Sequence, residues 1–252
     1  MRKMTGKVLA VILAIVMVLS IPAFAFAEDE LSAYEEVESV LEGETLANPK
    51  YRADYVVSPR WDDRGEIIHL SGRWDNGSRI VFIMHINFST TTMEQFNTAL
   101  FRWNQGMAIN NMFRRDPTVR HDGYHIWDFH IRDQQNRVYR RALGVNRPIA
   151  TARMFHIGTN SQGHLPNLPR IVEADIVVNV SHPFGNNLPG HDTRFDIWTV
   201  LAHEAGHAIG LEHAYSGFAG RVNIMHPHHG PGDLIRTLGP GDRNGINLLN
   251  YR

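Results

Sequence analysis

Three histidines and one glutamate stand together in the stretch HEAGHAIGLEH, residues 203–213. His203 and His207 are four positions apart, so on a helix they project from one face, one turn apart. Two imidazole nitrogens at that spacing can bind one Zn²⁺ at about 2.0–2.1 Å. Gly210 allows the chain to turn, because glycine tolerates a positive φ, and the turn returns His213 to the same ion. The stretch therefore predicts a metal site with three histidine ligands.

The fourth residue of interest, Glu204, indicates what such a site would do. Three neutral ligands leave the fourth tetrahedral position to water, which is typical of a catalytic zinc ion. Glu204 lies beside His203, close to that water, and is not needed as a ligand. We expect it to act as a general base that takes the proton of the water and passes it to a leaving amine. The alternatives are a chance match and metal binding without catalysis; the extended H-E-x-x-H-x-x-G-x-x-H pattern disfavours the first.

Two helices are predicted to position these residues and the core beneath them. One begins at an Asp196 N-cap and ends at Gly210. The other covers TTMEQFNTALFRWNQGM, residues 91–107, where Thr91 and Glu94 have the spacing of a capping box. Its apolar side chains recur on one face and are expected to be core: Met93, Phe96, Leu100, Trp103 and Met107.

The remaining pattern predicts strands. Residues 66–88, EIIHLSGRWDNGSRIVFIMHINF, read as two strands joined in a hairpin at Asp75-Asn76-Gly77-Ser78. The second of them is apolar on both faces, which indicates a strand buried on both sides. Further strands are expected around residues 124–132, 137–143, 152–157 and 171–180. The first two lie within an arginine-rich stretch, residues 110–150, that we interpret as a solvated face. This order of elements predicts an α/β or α+β domain with a mixed sheet.

The first 27 residues are predicted to be a signal peptide. Arg2, Lys3 and Lys7 precede an apolar run, residues 8–21, and Ala25-Phe26-Ala27 fits a small-x-small cleavage site. The alternative is a membrane anchor, and Pro22 together with the Ala-x-Ala ending favours cleavage. The mature protein is therefore expected to be secreted and extracellular, with a membrane contact only if the signal segment stays uncleaved.

Charge and cysteine content limit the function classes. Residues 28–50 form an acidic leader or a short pro-segment, in which residues 28–49 hold eight acidic residues and no lysine or arginine. Without those eight acidic residues and the three basic residues of the signal, 22 basic residues stand against 18 acidic ones from Lys50 onward. This mild excess does not predict a nucleic-acid-binding surface. The absence of cysteine excludes disulfides and thiolate ligands, so an exported domain, residues 51–252, must rely on its core and on bound ions.

The zinc motif resembles the signature of the metzincin metallopeptidases, and NIMHP, residues 223–227, resembles their Met-turn. The matrixins are the most similar subfamily: LGPGDRNGINLLNY (238–251) resembles their closing helix, and EADIVVNV (173–180) resembles a strand of their sheet. The resemblance implies an α+β zincin domain with a twisted mixed sheet, a long first helix, a zinc-binding helix, a Met-turn and a C-terminal helix. It also implies that Met225 forms an apolar floor beneath the three histidines.

For activity, the resemblance implies an exported zinc-dependent endopeptidase with one catalytic Zn²⁺ and a protein or peptide substrate. The substrate is expected to lie extended against an edge strand, and residues 225–238 to form part of the primary specificity pocket. The cysteine-based latency switch of the family is absent here. The alternative functions are a zinc-containing non-catalytic binding protein and a metallohydrolase acting on cell-wall peptide.

Other candidate ligands are given weaker roles. No D-x-[DN]-x-[DN]-G loop supports a calcium site, although calcium stays possible. Three further residues could form a second metal site: His182, His191 and Asp192. We favour the alternative interpretation, that they are ordinary residues of surface loops. A second histidine cluster is predicted to form part of the pocket wall or rim: His226, His228 and His229. The sequence does not predict an oligomeric state.

Overall fold

The computed structural model describes residues 60–61, 67–68, 70–107, 109, 112–122, 132–160, 168–186, 192–214, 223–249 and 251. All of them belong to the unit Ala53–Arg252. The predicted signal peptide and acidic leader lie outside the described residues, as does almost all of the strand predicted at 124–132. No helix in the described part of the chain is both long and apolar enough to cross a membrane.

The described elements are nine strands and three helices in an α+β arrangement. The strands are β1 (Arg60–Trp61), β2 (Ile67–Ile68), β3 (Ile80–His85), β4 (Phe113–His121), β5 (Asn136–Arg141), β6 (Ala150–Asn160), β7 (Leu168–Asn179), β8 (Phe184–Gly185) and β9 (Phe195–Asp196). The helices are α1 (Thr90–Gly106), α2 (Ile197–Ile209) and α3 (Pro240–Leu249). The element types agree with the predicted fold class.

A five-stranded sheet is the framework of the domain. Its strands stand in the order β4-β3-β5-β7-β6, with parallel pairs throughout except for β6, which runs antiparallel to β7. The two edges are therefore β4 and β6. The helices α1 and α2 contact each other, α1 also contacts β4, and α2 also contacts β6 and β7. This confirms the mixed sheet expected from the sequence.

The predicted hairpin around Asp75–Ser78 is wrong, although the turn itself exists. The Ser78 N–H donates to the Asp75 carbonyl at 3.2 Å. After the turn, β3 pairs in parallel with β4 and β5, whereas β2 pairs with β1. A strand that is apolar on both faces is stable in the middle of a parallel sheet, so its partners come from distant sequence rather than from the preceding strand.

Helix α1 begins earlier than the predicted capping box. Ser89 is the N-cap, and its Oγ accepts a hydrogen bond from the Thr92 N–H at 3.1 Å. The predicted core stripe is confirmed, since all five side chains are buried: Met93, Phe96, Leu100, Trp103 and Met107. The indole N–H of Trp103 donates to the Ala202 carbonyl at 2.9 Å, which joins α1 to α2. The core stripe thus packs beneath the helix that bears the metal motif.

Candidate metal centre

Helix α2 has the boundaries that the sequence predicts, and both ends shape the site. Asp196 is the N-cap, and its Oδ2 accepts from the Thr199 N–H at 3.1 Å. Gly210 ends the helix with a φ of 115°, in the left-handed region that favours glycine. A Cβ at Gly210 would also overlap the carbonyl oxygen of Gly72. Because the chain turns there, His213 returns to His203 and His207.

The three predicted ligands form one cluster. Each of His203, His207 and His213 offers a ligand atom, and these atoms all lie within 4.8 Å of one another. The ring of His213 has its centroid 5.2 Å from that of His203 and 4.9 Å from that of His207. In the part of the chain that the structure describes, this is the only group of three or more histidine, cysteine or acidic residues that could hold a metal ion.

Hydrogen bonds fix which ring nitrogens are available to a cation. Nδ1 of His203 donates to the Ile224 carbonyl at 2.7 Å, and Nδ1 of His207 donates to the Leu211 carbonyl at 2.8 Å. A carbonyl oxygen only accepts, so each neutral ring carries its hydrogen on Nδ1 and a lone pair on Nε2. The two Nε2 atoms face each other at 3.1 Å. Two lone pairs at that distance repel unless they share a cation, and this donor set fits one.

Burial keeps these histidines in the form that binds metals. Desolvation is the main cause that lowers the pKa of His203, well below its usual value, and that of His207. Burial also lowers the pKa of His213 to about 4, with a smaller contribution from the charge of His207. Metal ligands must be neutral imidazoles, so the burial of this cluster favours cation binding at neutral pH.

Glu204 is buried beside the cluster rather than within it. Burial raises its pKa to about 8, and a backbone hydrogen bond from Ala152 of β6 acts in the opposite direction. Its Oε2 has no hydrogen-bond partner among the described residues. A buried carboxylate oxygen without a partner is costly unless a ligand or water uses it. Burial therefore leaves one carboxylate oxygen of Glu204 without a partner among the described residues.

Met225 packs directly against the middle of α2. It is buried, and a Cβ at Gly206 would overlap its Sδ and lie 2.9 Å from Cζ2 of Trp103. The carbonyl of Met225 accepts from the Ala214 N–H at 2.8 Å, next to the third ligand. Glycine at position 206 thus allows the thioether to reach the helix between the first two ligands.

The structure adds a positioning group that the sequence did not reveal. The buried carboxylate of Asp242 accepts three backbone N–H groups: Ile224 at 2.8 Å, Met225 at 3.0 Å and Gly239 at 2.7 Å. Ile224 in turn supplies the carbonyl that orients His203. Asp242 lies 17 and 18 residues beyond its first two partners, so no local pattern could have indicated this role.

Among the described residues, no other histidine joins the cluster of His203, His207 and His213. His182 shares a hydrogen bond of 2.9 Å with the Arg147 carbonyl, and Asp192 pairs with Arg194 at 2.8 Å. His191 lies outside the described residues. His229 lies against the site instead: its Nε2 donates to the same Ile224 carbonyl at 2.8 Å, and its ring centroid is 5.4 Å from that of His203.

No protein-family model matches the sequence, and no curated protein matches it either. The function is therefore inferred from the geometry of this centre and from the sequence motif.

Proposed function

We propose that the protein is an exported zinc-dependent endopeptidase of the metzincin type, most similar to the matrixins. One observation carries the proposal: His203 and His207 direct two lone-pair nitrogens at one point, and the buried carboxylate of Glu204, next to His203 in the sequence, has one oxygen without a hydrogen-bond partner among the described residues. A purely structural site needs no such carboxylate. The burial of Met225 against α2 and the position of α3 after residues 225–238 support the family assignment.

The residues that would hold the zinc ion are His203, His207 and His213. Three neutral nitrogen ligands suit Zn²⁺ and leave a coordination position open. When bound, zinc supplies Lewis-acid chemistry that polarises a carbonyl group and makes water a better nucleophile at neutral pH. The Ile224 and Leu211 carbonyls would hold the first two rings in their ligating orientation, which is the usual role of groups behind metal ligands.

Glu204 would perform the proton transfers. Its free oxygen accepts a proton from the water that attacks the scissile carbonyl, and the same oxygen donates a proton to the departing amine. A general base is most effective when its pKa lies near the working pH, and burial moves this carboxyl in that direction. A cation beside it lowers the pKa again, so the two effects oppose each other.

The substrate would add to the sheet at β6. Of the two edge strands, β6 contacts α2 whereas β4 contacts α1. The hydrogen bond between the Ala152 backbone and Glu204 brings β6 next to the general base. Because an extended peptide can pair with an exposed edge through its main chain, β6 would align the scissile bond with the metal centre.

Cleavage of casein by the zinc-loaded protein tests the proposal. We expect cleavage that a chelator abolishes and added zinc restores. Glu204→Ala is expected to keep its zinc, measured by metal analysis, and to lose activity by roughly 10²–10⁴-fold, the usual contribution of a general base. Glu94→Gln, which changes an exposed acid on α1, is the matched control and should cleave like the wild type.

Three outcomes would contradict the proposal or one of its assigned roles. Stoichiometric zinc without cleavage of any peptide substrate would indicate a non-catalytic binding protein. Hydrolysis of isolated cell-wall peptide, with no cleavage of casein, would indicate the other class of metallohydrolase. Undiminished casein cleavage by Glu204→Ala would exclude the assigned role of that carboxylate.

A further inference from the structure

A segment beyond Met225 is tied to the first turn of the metal-bearing helix. We call residues 230–236 the wall segment. It begins with a turn in which the Gly230 N–H donates to Oδ2 of Asp233 at 2.7 Å. The Gly232 N–H then donates to the Arg194 carbonyl at 3.0 Å, just before α2. The wall segment is thereby held beside the N-terminus of α2.

Two further contacts lie at the end of the wall segment. The Ile235 N–H donates to Oγ1 of Thr199 at 3.1 Å. The guanidinium of Arg236 binds Asp196 in a fork, with Nε 3.0 Å from Oδ2 and Nη2 2.5 Å from Oδ1. A planar guanidinium matches a carboxylate in this two-point geometry, and the fork restricts direction as well as distance.

Asp196 therefore serves two elements with one carboxylate. Its Oδ2 caps α2 through the N–H of Thr199 and accepts the hydroxyl of the same residue at 2.8 Å. Its side chain is fully buried, whereas that of Arg236 is 33% exposed. Because hydrogen bonds to a buried charge are strong and costly to lose, this carboxylate is a rigid connection between helix and wall segment.

We propose that Arg236 is a specificity-determining positioning residue, which fixes the wall of the pocket that receives the substrate side chain next to the scissile bond. This rests on the proposed function and on the expectation, from the family resemblance, that residues 225–238 form part of that pocket. Thr199 lies one helical turn before His203, so the contacts of Arg236 and Ile235 set the distance between the wall segment and the metal ligands. Loss of the fork would release the wall without touching a ligand.

The chemistry predicts a graded response to substitution. Lysine at position 236 keeps the charge but offers one point of contact instead of a fork. Glutamine removes the charge and leaves the buried Asp196 carboxylate with weaker partners. We therefore expect Arg236→Lys to lie between the wild type and Arg236→Gln. Arg243→Gln, which makes the same change of charge at an exposed position of α3, is the matched control.

The test uses the full chain loaded with zinc and a peptide series that varies only the residue following the scissile bond. In Arg236→Gln we expect the ratio of kcat/KM between the best and the poorest side chain to fall about tenfold, within the range over which a pocket discriminates by size. Zinc stoichiometry should not change. An unchanged selectivity ratio in a folded, zinc-loaded Arg236→Gln protein would overturn the proposal.

Amide hydrogen exchange separates this proposal from the proposed function. We expect the Gly232 and Ile235 N–H groups to exchange faster in Arg236→Gln than in the wild type, since both donate hydrogen bonds across the connection. If the wild type cleaves no peptide, the proposed function fails and the specificity role fails with it, while faster exchange still shows that Arg236 anchors the wall segment. If exchange at both groups is unchanged, the anchor itself is refuted.

Discussion

At the scale of single residues, the centre depends as much on glycines as on ligands. Gly206 admits Met225 to the surface of α2, and Gly210 combines a positive φ with close approach to the Gly72 carbonyl. The motif predicts the need for a turn at Gly210, because three ligands must meet at one point. It does not predict the contact with Gly72, because that residue is distant in sequence and reaches the helix end only in the folded domain.

Gly210→Ala is expected to be costly for two separable reasons. A left-handed φ costs a non-glycine residue about 1 kcal/mol, and the overlap with the Gly72 carbonyl adds strain in the backbone. We expect a loss of roughly 2–4 kcal/mol in the free energy of unfolding and weaker zinc binding, measured by denaturation and by metal titration. Gly77→Ala is the control, since Gly77 has a φ of 76° and nothing near its side-chain position. Equal losses in both variants would show that only φ matters at Gly210.

At the scale of elements, the sequence predicts correctly the features that depend on neighbouring residues alone. Both ends of α2 and the core stripe of α1 follow from caps and spacing, so they could be read from the sequence. The pairing of β3 could not be predicted from the turn at Asp75–Ser78. Because β3 is buried on both faces, its partners are strands from distant sequence rather than the strand before the nearest turn. Strand β4 was missed for a related reason: it is an edge strand with mostly polar, exposed side chains, which lacks an apolar pattern.

Residues 224 and 225 are held by the start of α3 through the carboxylate of Asp242. Asp242→Asn removes the charge that three backbone N–H groups share. We expect a loss of about 2–4 kcal/mol in stability, since hydrogen bonds to a buried charge are lost. Zinc affinity should fall about 10–100-fold, because the Ile224 carbonyl no longer holds His203 firmly.

Metal titration at temperatures well below unfolding checks this prediction, with Asp192→Asn as the control. Asp192 pairs with Arg194 on an exposed loop and has no hydrogen bond to Ile224 or Met225 among those of the described residues. A variant at Asp242 that is destabilised but binds zinc as tightly as the wild type would show that Asp242 serves stability alone.

At the scale of the whole molecule, buried histidines and a buried aspartate make opposite contributions to the pH dependence of folding stability. Burial lowers the pKa of His121 and of His156 to about 4, so they contribute stability that is lost as the pH falls from 6.5 toward 4. Burial raises the pKa of Asp175 in β7 from 3.8 to about 8. Its carboxyl is more protonated in the folded than in the unfolded state, so its contribution is fully present below pH 4 and is lost as the pH rises through 8.

Replacement of Asp175 by asparagine should remove this alkaline loss. The amide keeps an oxygen for the Arg137 N–H, which Oδ1 of Asp175 accepts at 2.8 Å, and it does not ionise. The stability of Asp175→Asn minus that of the wild type should therefore rise between about pH 4 and pH 8, by at most roughly 1.4 kcal/mol per pH unit, and then level off. Denaturant unfolding of both proteins at a series of pH values measures the difference, in which the titration of the three clustered histidines cancels. A difference that stays constant from pH 5 to pH 9 would show that Asp175 is already ionised in the folded protein, and the buried sheet face would then have to stabilise that charge through Arg137.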